Sequence, residues 1–131
     1  MSAVRAMAAL HGREMAALGS EVLLSPGMNI HRDPLCGRNF EYFSEDPFLA
    51  GIMGAALVRG IQSTGTAACP KHFAVNSQEL RRMASDSIVD ERTMREIYLT
   101  AFEIVCRSAH PRAIMSSYNL VNGVHTSESA Q

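Results

Sequence analysis

Apolar residues recur with helical spacing in three stretches of the chain, separated by short apolar runs and longer polar ones. Val4, Met7, Ala8, His11, Met15 and Leu18 fall on one face of a predicted first helix that stops at Gly19. Asp46 has the side chain of an N-cap and Pro47 the fixed φ of a first helical residue, so a second helix begins there. Its stripe is Phe48, Leu49, Ile52, Met53, Ala56, Leu57 and Ile61, with Gly65 suited to the C-terminal cap. A third helix is predicted from about Asp90 to Ala109 on Met94, Ile97, Tyr98, Ala101, Phe102 and Val105.

Between the helices, Glu21 to Ser25, Thr66 to Pro70 and Ala113 to Ser117 read as short strands. The polar stretches 29–46 and 71–86, and the Asn-, Gly- and Ser-rich stretch after Ser117, read as loops. Strands separated by helices imply an α/β chain with a parallel sheet built from βα units. Gly51, Gly54 and Gly60 all lie on the second helix, where they allow close packing. No GxGxxG or Walker-type spacing marks a phosphate loop.

Composition narrows this picture. A length of 131 residues suits one modest domain, and 47% hydrophobic with 19% charged residues is ordinary for a globular chain. A net charge of -1 gives no electrostatic hold on nucleic acid, so no nucleic-acid partner is expected. No apolar run approaches the roughly 20 residues that span a bilayer, so no membrane partner is expected either. Met1 to Leu18 has the pattern of an amphipathic helix and not that of a secretory leader. Cys36, Cys69 and Cys106 are far apart and form no CxxC pair, which reads as buried small side chains and neither a metal site nor a disulfide framework. The compartment is left open, with the cytoplasm slightly favoured.

In parallel α/β folds, ligands bind at the carboxyl ends of strands and in the loops that follow. Three polar clusters fall at such places. These are Arg38 with Glu41, Glu45 and Asp46, then Lys71-His72 after the second strand, and Tyr118-Asn119 after the third. Arg carries planar, forked donors that suit adjacent hydroxyls, and Lys and His add donors beside it, so the mixture suits a hydroxylated ligand. The plainer readings are a solvated loop, an Arg38–Glu41 pair, and a Tyr118 hydroxyl bound to backbone. Glu41 is assigned to loop structure and Asp46 to helix capping. Glu79, Arg81 and Arg82 are assigned to a loop network.

The same clusters carry a resemblance. The run Leu24-Ser-Pro-Gly-Met-Asn-Ile-His-Arg-Asp-Pro-Leu-Cys-Gly-Arg-Asn-Phe-Glu-Tyr-Phe-Ser-Glu-Asp-Pro47 closely resembles a signature of glycoside hydrolase family 3. So do Lys71-His-Phe-Ala-Val-Asn-Ser-Gln-Glu-Leu-Arg-Arg-Met83, Val89-Asp-Glu-Arg-Thr-Met-Arg-Glu-Ile-Tyr-Leu99 and Ser117-Tyr-Asn-Leu-Val-Asn-Gly123. The β-glucosidase branch is the nearer likeness. The branch that removes N-acetylglucosamine carries a second His in a Lys-His-Phe-Pro-Gly-His-Gly loop, and here that loop reads Lys71-His-Phe-Ala-Val-Asn76. The motifs do not separate β-glucosidase from β-xylosidase or α-arabinosidase activity.

The resemblance implies an incomplete TIM-type (β/α) barrel, with residues 1–131 as the central part of the N-terminal barrel domain. By resemblance, Arg38, Lys71 and His72 hold sugar hydroxyls, Tyr118 hydrogen-bonds the nucleophile, and Met115 forms part of the same wall. The implied partner is a small sugar or β-glucoside, and no metal or organic cofactor is implied. Retaining hydrolysis needs two carboxyl groups about 5–5.5 Å apart. The family's nucleophilic Asp commonly sits in a Ser-Asp-Trp motif beyond the Ser-Tyr-Asn motif. This chain has no Trp, and its one Ser-Asp pair, Ser85-Asp86, runs on into Ser87.

The acid/base Glu belongs to a later domain in the family, and a further sugar-binding Asp to an earlier strand. The expectation is therefore a β-glucosidase fragment with sugar-binding residues but without its catalytic carboxylates, inactive alone. The alternative is a non-catalytic sugar-binding or pseudo-enzyme domain. Strand edges and apolar helix faces left uncovered would make the isolated chain fold poorly or self-associate.

Overall fold

The structure is a computed structural model and describes residues 1–130. Helix α1 spans Ser2–Ala17, and α2 spans Pro47–Gln62. The Asp46 carboxylate accepts a 2.8 Å hydrogen bond from the Phe48 amide, the capping role read from the sequence. The third helical region is divided. It comprises α3 (Glu91–Thr93), a π-helical stretch Met94–Leu99, and α4 (Thr100–Ala109). Thr100 Oγ1 donates to the Arg95 and Glu96 carbonyls, at 2.9 and 2.7 Å, where the π-helical stretch gives way to α4. No described helix is long and apolar enough to cross a membrane.

α2 lies between α1 and α4, which explains why its buried residues are so numerous and so small. A Cβ added at Gly60 would lie 2.5 Å from the Arg5 carbonyl oxygen and 2.6 Å from Ala8 Cβ. On the other side, a Cβ at Gly51 would lie 2.8 Å from Ile104 Cδ1, and one at Gly54 would strike the Met28 side chain. The close-packing reading of these glycines holds. The predicted face of α1 holds only in part, with Val4 and Ala8 packed against the core. Its buried residues are Ala8 and Gly12, while Met7 is 46% and Leu18 80% exposed. The two helices approach too closely for long side chains, so the small residues take the seam. Phe48 and Leu49 of the α2 stripe are likewise exposed, whereas its Ala56, Leu57 and Ile61 are buried together with Val58, which lies outside the stripe.

The strands are shorter than expected. β1 (Val22–Leu23) pairs in parallel with β2 (Ala67–Ala68), with Val22 opposite Ala67 and Leu23 opposite Ala68. The stretch from Lys71, expected to be loop, begins instead as strand β3 (Lys71–Phe73), parallel to β5 (Met115–Ser116). Lys71 also bridges to Gly27, with its amide donating to the Pro26 carbonyl at 2.9 Å and the Met28 amide donating to the Lys71 carbonyl at 2.6 Å. Polar residues such as Lys71 and His72 can form a strand when neighbours supply the ladder, and a reading based on apolar runs passes over it. β4 (Asp86–Ser87) pairs in parallel with β6 (Leu120–Val121), which turns back antiparallel into β7 (Val124–His125). The final loop is thus a hairpin. Its turn residues, Asn122 and Gly123, have φ of 51° and 86°, the left-handed pair that Asn-Gly favours.

Helices, parallel ladders and their alternation agree with the α/β reading. The core joins Met28, Leu57, Val58, Ile61, Ala68, Phe102 and Val105 beneath the strands. Gln62 ties the end of α2 to the approach to β5, donating to the His110 carbonyl at 3.2 Å and accepting from the Arg112 amide at 3.0 Å.

Candidate functional site

Three separate stretches of chain meet around His72. Asn29 follows the Met28 amide that bonds to β3, and it is 4% exposed. Its side-chain amide continues the ladder in place of backbone. Nδ2 donates to the His72 carbonyl at 3.0 Å, and Oδ1 accepts from the His72 amide at 2.9 Å. Arg38 precedes and Glu41 ends a 3-10 turn, Asn39–Glu41, in which side chains three apart lie one above the other. Gly27 lets this turn come close to the Asn29 stretch, because a Cβ there would lie 2.8 Å from the Tyr42 ring.

Glu41 joins the two cations that the sequence singled out. It forms an ion pair with Arg38, and its Oε2 lies 2.9 Å from Lys71 Nζ. All three side chains keep between 15% and 20% of their surface exposed. Burial opposes ionisation of Glu41, but its bonds to Lys71 and Arg38 outweigh that and hold its pKa below the usual carboxylate value. Arg38 Nη1 also lies 2.8 Å from His72 Nε2. On the other side of the ring, His72 Nδ1 lies 3.2 Å from the Tyr42 hydroxyl and 3.3 Å from Asn29 Oδ1. The Tyr42 and His72 rings meet edge to face. Burial, reinforced by Arg38 and Lys71, pulls the His72 pKa down to about 4. Burial likewise pushes the Tyr42 hydroxyl well above its ordinary range.

Arg38, Lys71 and His72 are therefore assembled into one cluster. Met115 joins it only through the ladder, as the register partner of Lys71. Tyr118 stands apart. Ser117 and Asn119 on either side are buried and bonded to the Ala74 carbonyl at 2.8 and 3.3 Å, which leaves Tyr118 55% exposed. Its ring lies beneath Arg82, whose guanidinium carbon is 5.4 Å from the centroid. A polar chain links the two places. Arg82 pairs with Glu79 at 3.1 Å, Glu79 accepts from Asn76 at 3.0 Å, and Asn76 reaches the Tyr42 hydroxyl at 3.5 Å.

Three contributors were not singled out from the sequence, namely Asn29, Tyr42 and Asn76, whereas Arg82 and Glu79 pair as the loop network assigned to them. Glu41 was assigned to loop structure, yet it bridges the cations. The three-residue spacing of Arg38 and Glu41 carried that signal, whereas no local spacing links Asn29 to His72, 43 residues away. Among the described residues no group of three or more His, Cys, Asp or Glu is placed to hold a metal ion. The described cysteines are free, and Cys36 and Cys69 are buried.

A cluster of hydrogen-bond donors beside parallel strands is the arrangement by which α/β proteins bind polar ligands at strand ends. Comparison with known proteins makes the assignment specific. The profile of the glycosyl hydrolase family 3 N terminal domain matches residues 1–131, and the chain belongs to that family. It is 53% identical over 125 residues to thermostable beta-glucosidase B of Acetivibrio thermocellus, covering 95% of this chain and 17% of that one. Against a beta-glucosidase of Ruminococcus albus it is 53% identical over 118 residues, 90% of this chain and 12% of the other. Among solved structures, beta-glucosidase 3B from Thermotoga neapolitana in complex with glucose matches with a TM-score of 0.92 and 52% identity, over 93% of this chain and 17% of that one. The beta-glucosidase from Kluyveromyces marxianus in complex with glucose gives a TM-score of 0.94 at 46% identity, over 96% and 15%. The chain thus spans less than a fifth of the length of these relatives.

Proposed function

We propose that these 131 residues form the sugar-holding part of a β-glucosidase-type glycoside hydrolase, acting on terminal β-D-glucosyl groups by a retaining mechanism. Arg38 and Lys71 donate to sugar hydroxyls, His72 lines the same wall with Met115, and Tyr118 orients the attacking carboxylate. That carboxylate and the proton donor come from outside this stretch, whose strands form part of a (β/α) barrel. The observation that carries the reading is the convergence of Arg38, Lys71 and His72 from separate segments onto one partly open cluster. Two relatives of similar fold hold glucose.

The carboxylates in the cluster support a binding role over a cutting one. Glu41 is engaged by two cations, and Glu79 by Asn76 and Arg82, so neither is free to attack carbon or deliver a proton. The uncovered edge of β5 and the exposed apolar side chains of Phe73 and Ile114 beside it favour self-association of the isolated chain. The test is hydrolysis of an aryl β-D-glucoside by the purified chain beside an Arg38→Ala variant, with oligomeric state followed by sedimentation. No turnover by either is expected. Turnover abolished in the variant would mean that carboxylates within these residues do the chemistry, against this proposal.

A further inference from the structure

The hydrogen-bond partners of His72 decide more than its location. An arginine has donors only, so the 2.8 Å contact from Arg38 Nη1 requires a lone pair on His72 Nε2. A ring nitrogen with its lone pair free carries no proton, so in the neutral ring the proton sits on Nδ1. That nitrogen faces two oxygens, Asn29 Oδ1 at 3.3 Å and the Tyr42 hydroxyl at 3.2 Å, either of which can accept it. Asn29 has no freedom to turn its amide the other way. Its Nδ2 is committed to the His72 carbonyl and its Oδ1 to the His72 amide. Oδ1 therefore always faces Nδ1.

We propose that Asn29 and Tyr42 are positioning residues that hold His72 as the Nδ1-protonated, neutral tautomer, so that its Nε2 accepts from Arg38 and aims that guanidinium. The chain of influence runs from Asn29 and Tyr42 through His72 to Arg38. His72 itself contributes a lone pair to Arg38, and its ring proton points away from Arg38. Glu41 holds Arg38 from another side, so the guanidinium is gripped by a carboxylate and an imidazole together. Burial of the ring, which disfavours its charged form, works in the same direction. The part of this inference that concerns sugar affinity rests on the proposed function, whereas the tautomer does not.

The experiment is side-chain nitrogen NMR on the polypeptide carrying this chain, with 15N-labelled histidine and a His72→Gln sample to identify the His72 signals. The expected result at neutral pH is a protonated Nδ1 and an unprotonated Nε2, in about tenfold excess over the other tautomer, the bias that one net hydrogen bond delivers. Tyr42→Phe removes one of the two acceptors and should erode that excess, and Asn29→Ala should erode it further. A wild-type His72 found with its proton on Nε2 overturns the proposal, whether or not either variant folds. A tautomer ratio unmoved in both folded variants overturns the roles of Asn29 and Tyr42. A second arm measures glucose affinity, where Tyr42→Phe should weaken binding about three- to tenfold. Absence of glucose binding in the wild type with the expected tautomer intact would sink the sugar reading and leave the positioning inference standing.

Discussion

Where α1 meets α2, the chain uses residues with almost no side chain. Around His72 it uses the side chains richest in donors and acceptors. The seam of Ala8, Gly12 and Gly60 derives its specificity from exclusion, since a Cβ at Gly60 would meet the Arg5 carbonyl and one at Gly12 the Thr64 side chain and the Ile61 carbonyl. The cluster of Asn29, Arg38, Glu41, Tyr42, Lys71 and His72 derives it from pairing, since each buried polar atom is set by the valence of its neighbour. The first region resists any enlargement. The second resists loss of any one partner but keeps part of its surface open.

The largest effect is expected at the seam. Gly60→Val would drive side-chain atoms into the Arg5 carbonyl, which a helix backbone cannot yield, and should destabilise by about 3 kcal/mol or prevent folding. A urea unfolding midpoint equal to that of the parent would remove sterics as the organising rule there.

Acid probes the other region. Three groups face the His72 ring, the cation Arg38 and the uncharged Tyr42 and Asn29, while Lys71, Glu41 and Glu79 act on it from nearby. The unfolded chain protonates this histidine near pH 6.5, whereas the folded chain resists until about 4. Stability contributed by the neutral ring is therefore full above 6.5 and declines as pH falls towards 4, by on the order of 2–3 kcal/mol. Glu41, with its folded pKa below the usual value, adds a further loss at the acid end. Thermal melts across this range should show the decline in the parent and a shallower one in His72→Gln. Parallel curves would exclude His72 as its source.

Asn29→Ala should cost about 2 kcal/mol, because it strands the buried amide and carbonyl of His72. Chemical denaturation gives that figure directly. At the small end, Arg92→Ala breaks an i,i+4 pair with Glu96 whose side chains are 84% and 59% exposed, and should change stability by less than about 0.5 kcal/mol. A larger change there would mean that surface pairs contribute as much as the buried cluster, and the contrast would dissolve.

The position of each helix was legible because it is a local property. Asp46 and Pro47 mark the start of α2 wherever they occur, and the 3.6-residue period marks its length. Which face would be buried was less legible. Met7 and Leu18 look like core residues by hydrophobicity, and only the nearness of α2 explains why Ala8 and Gly12 take that place. Strand β3 escaped notice because Lys71 and His72 are polar, although the ladder to β5 and Gly27 needs only their backbone.

The site divides along the same line. By itself the sequence determined the family and named Arg38, Lys71, His72, Met115 and Tyr118 as candidates, because long motifs keep their residue order whatever the chain's shape. Tertiary structure alone decided that Glu41 bridges two cations, that His72 turns a lone pair to Arg38, and that Tyr118 lies under Arg82. The physical reason is range. Helix caps and periods act over a few residues, whereas the geometry of a charge or a hydrogen bond depends on partners that folding brings together from 30 to 43 residues away.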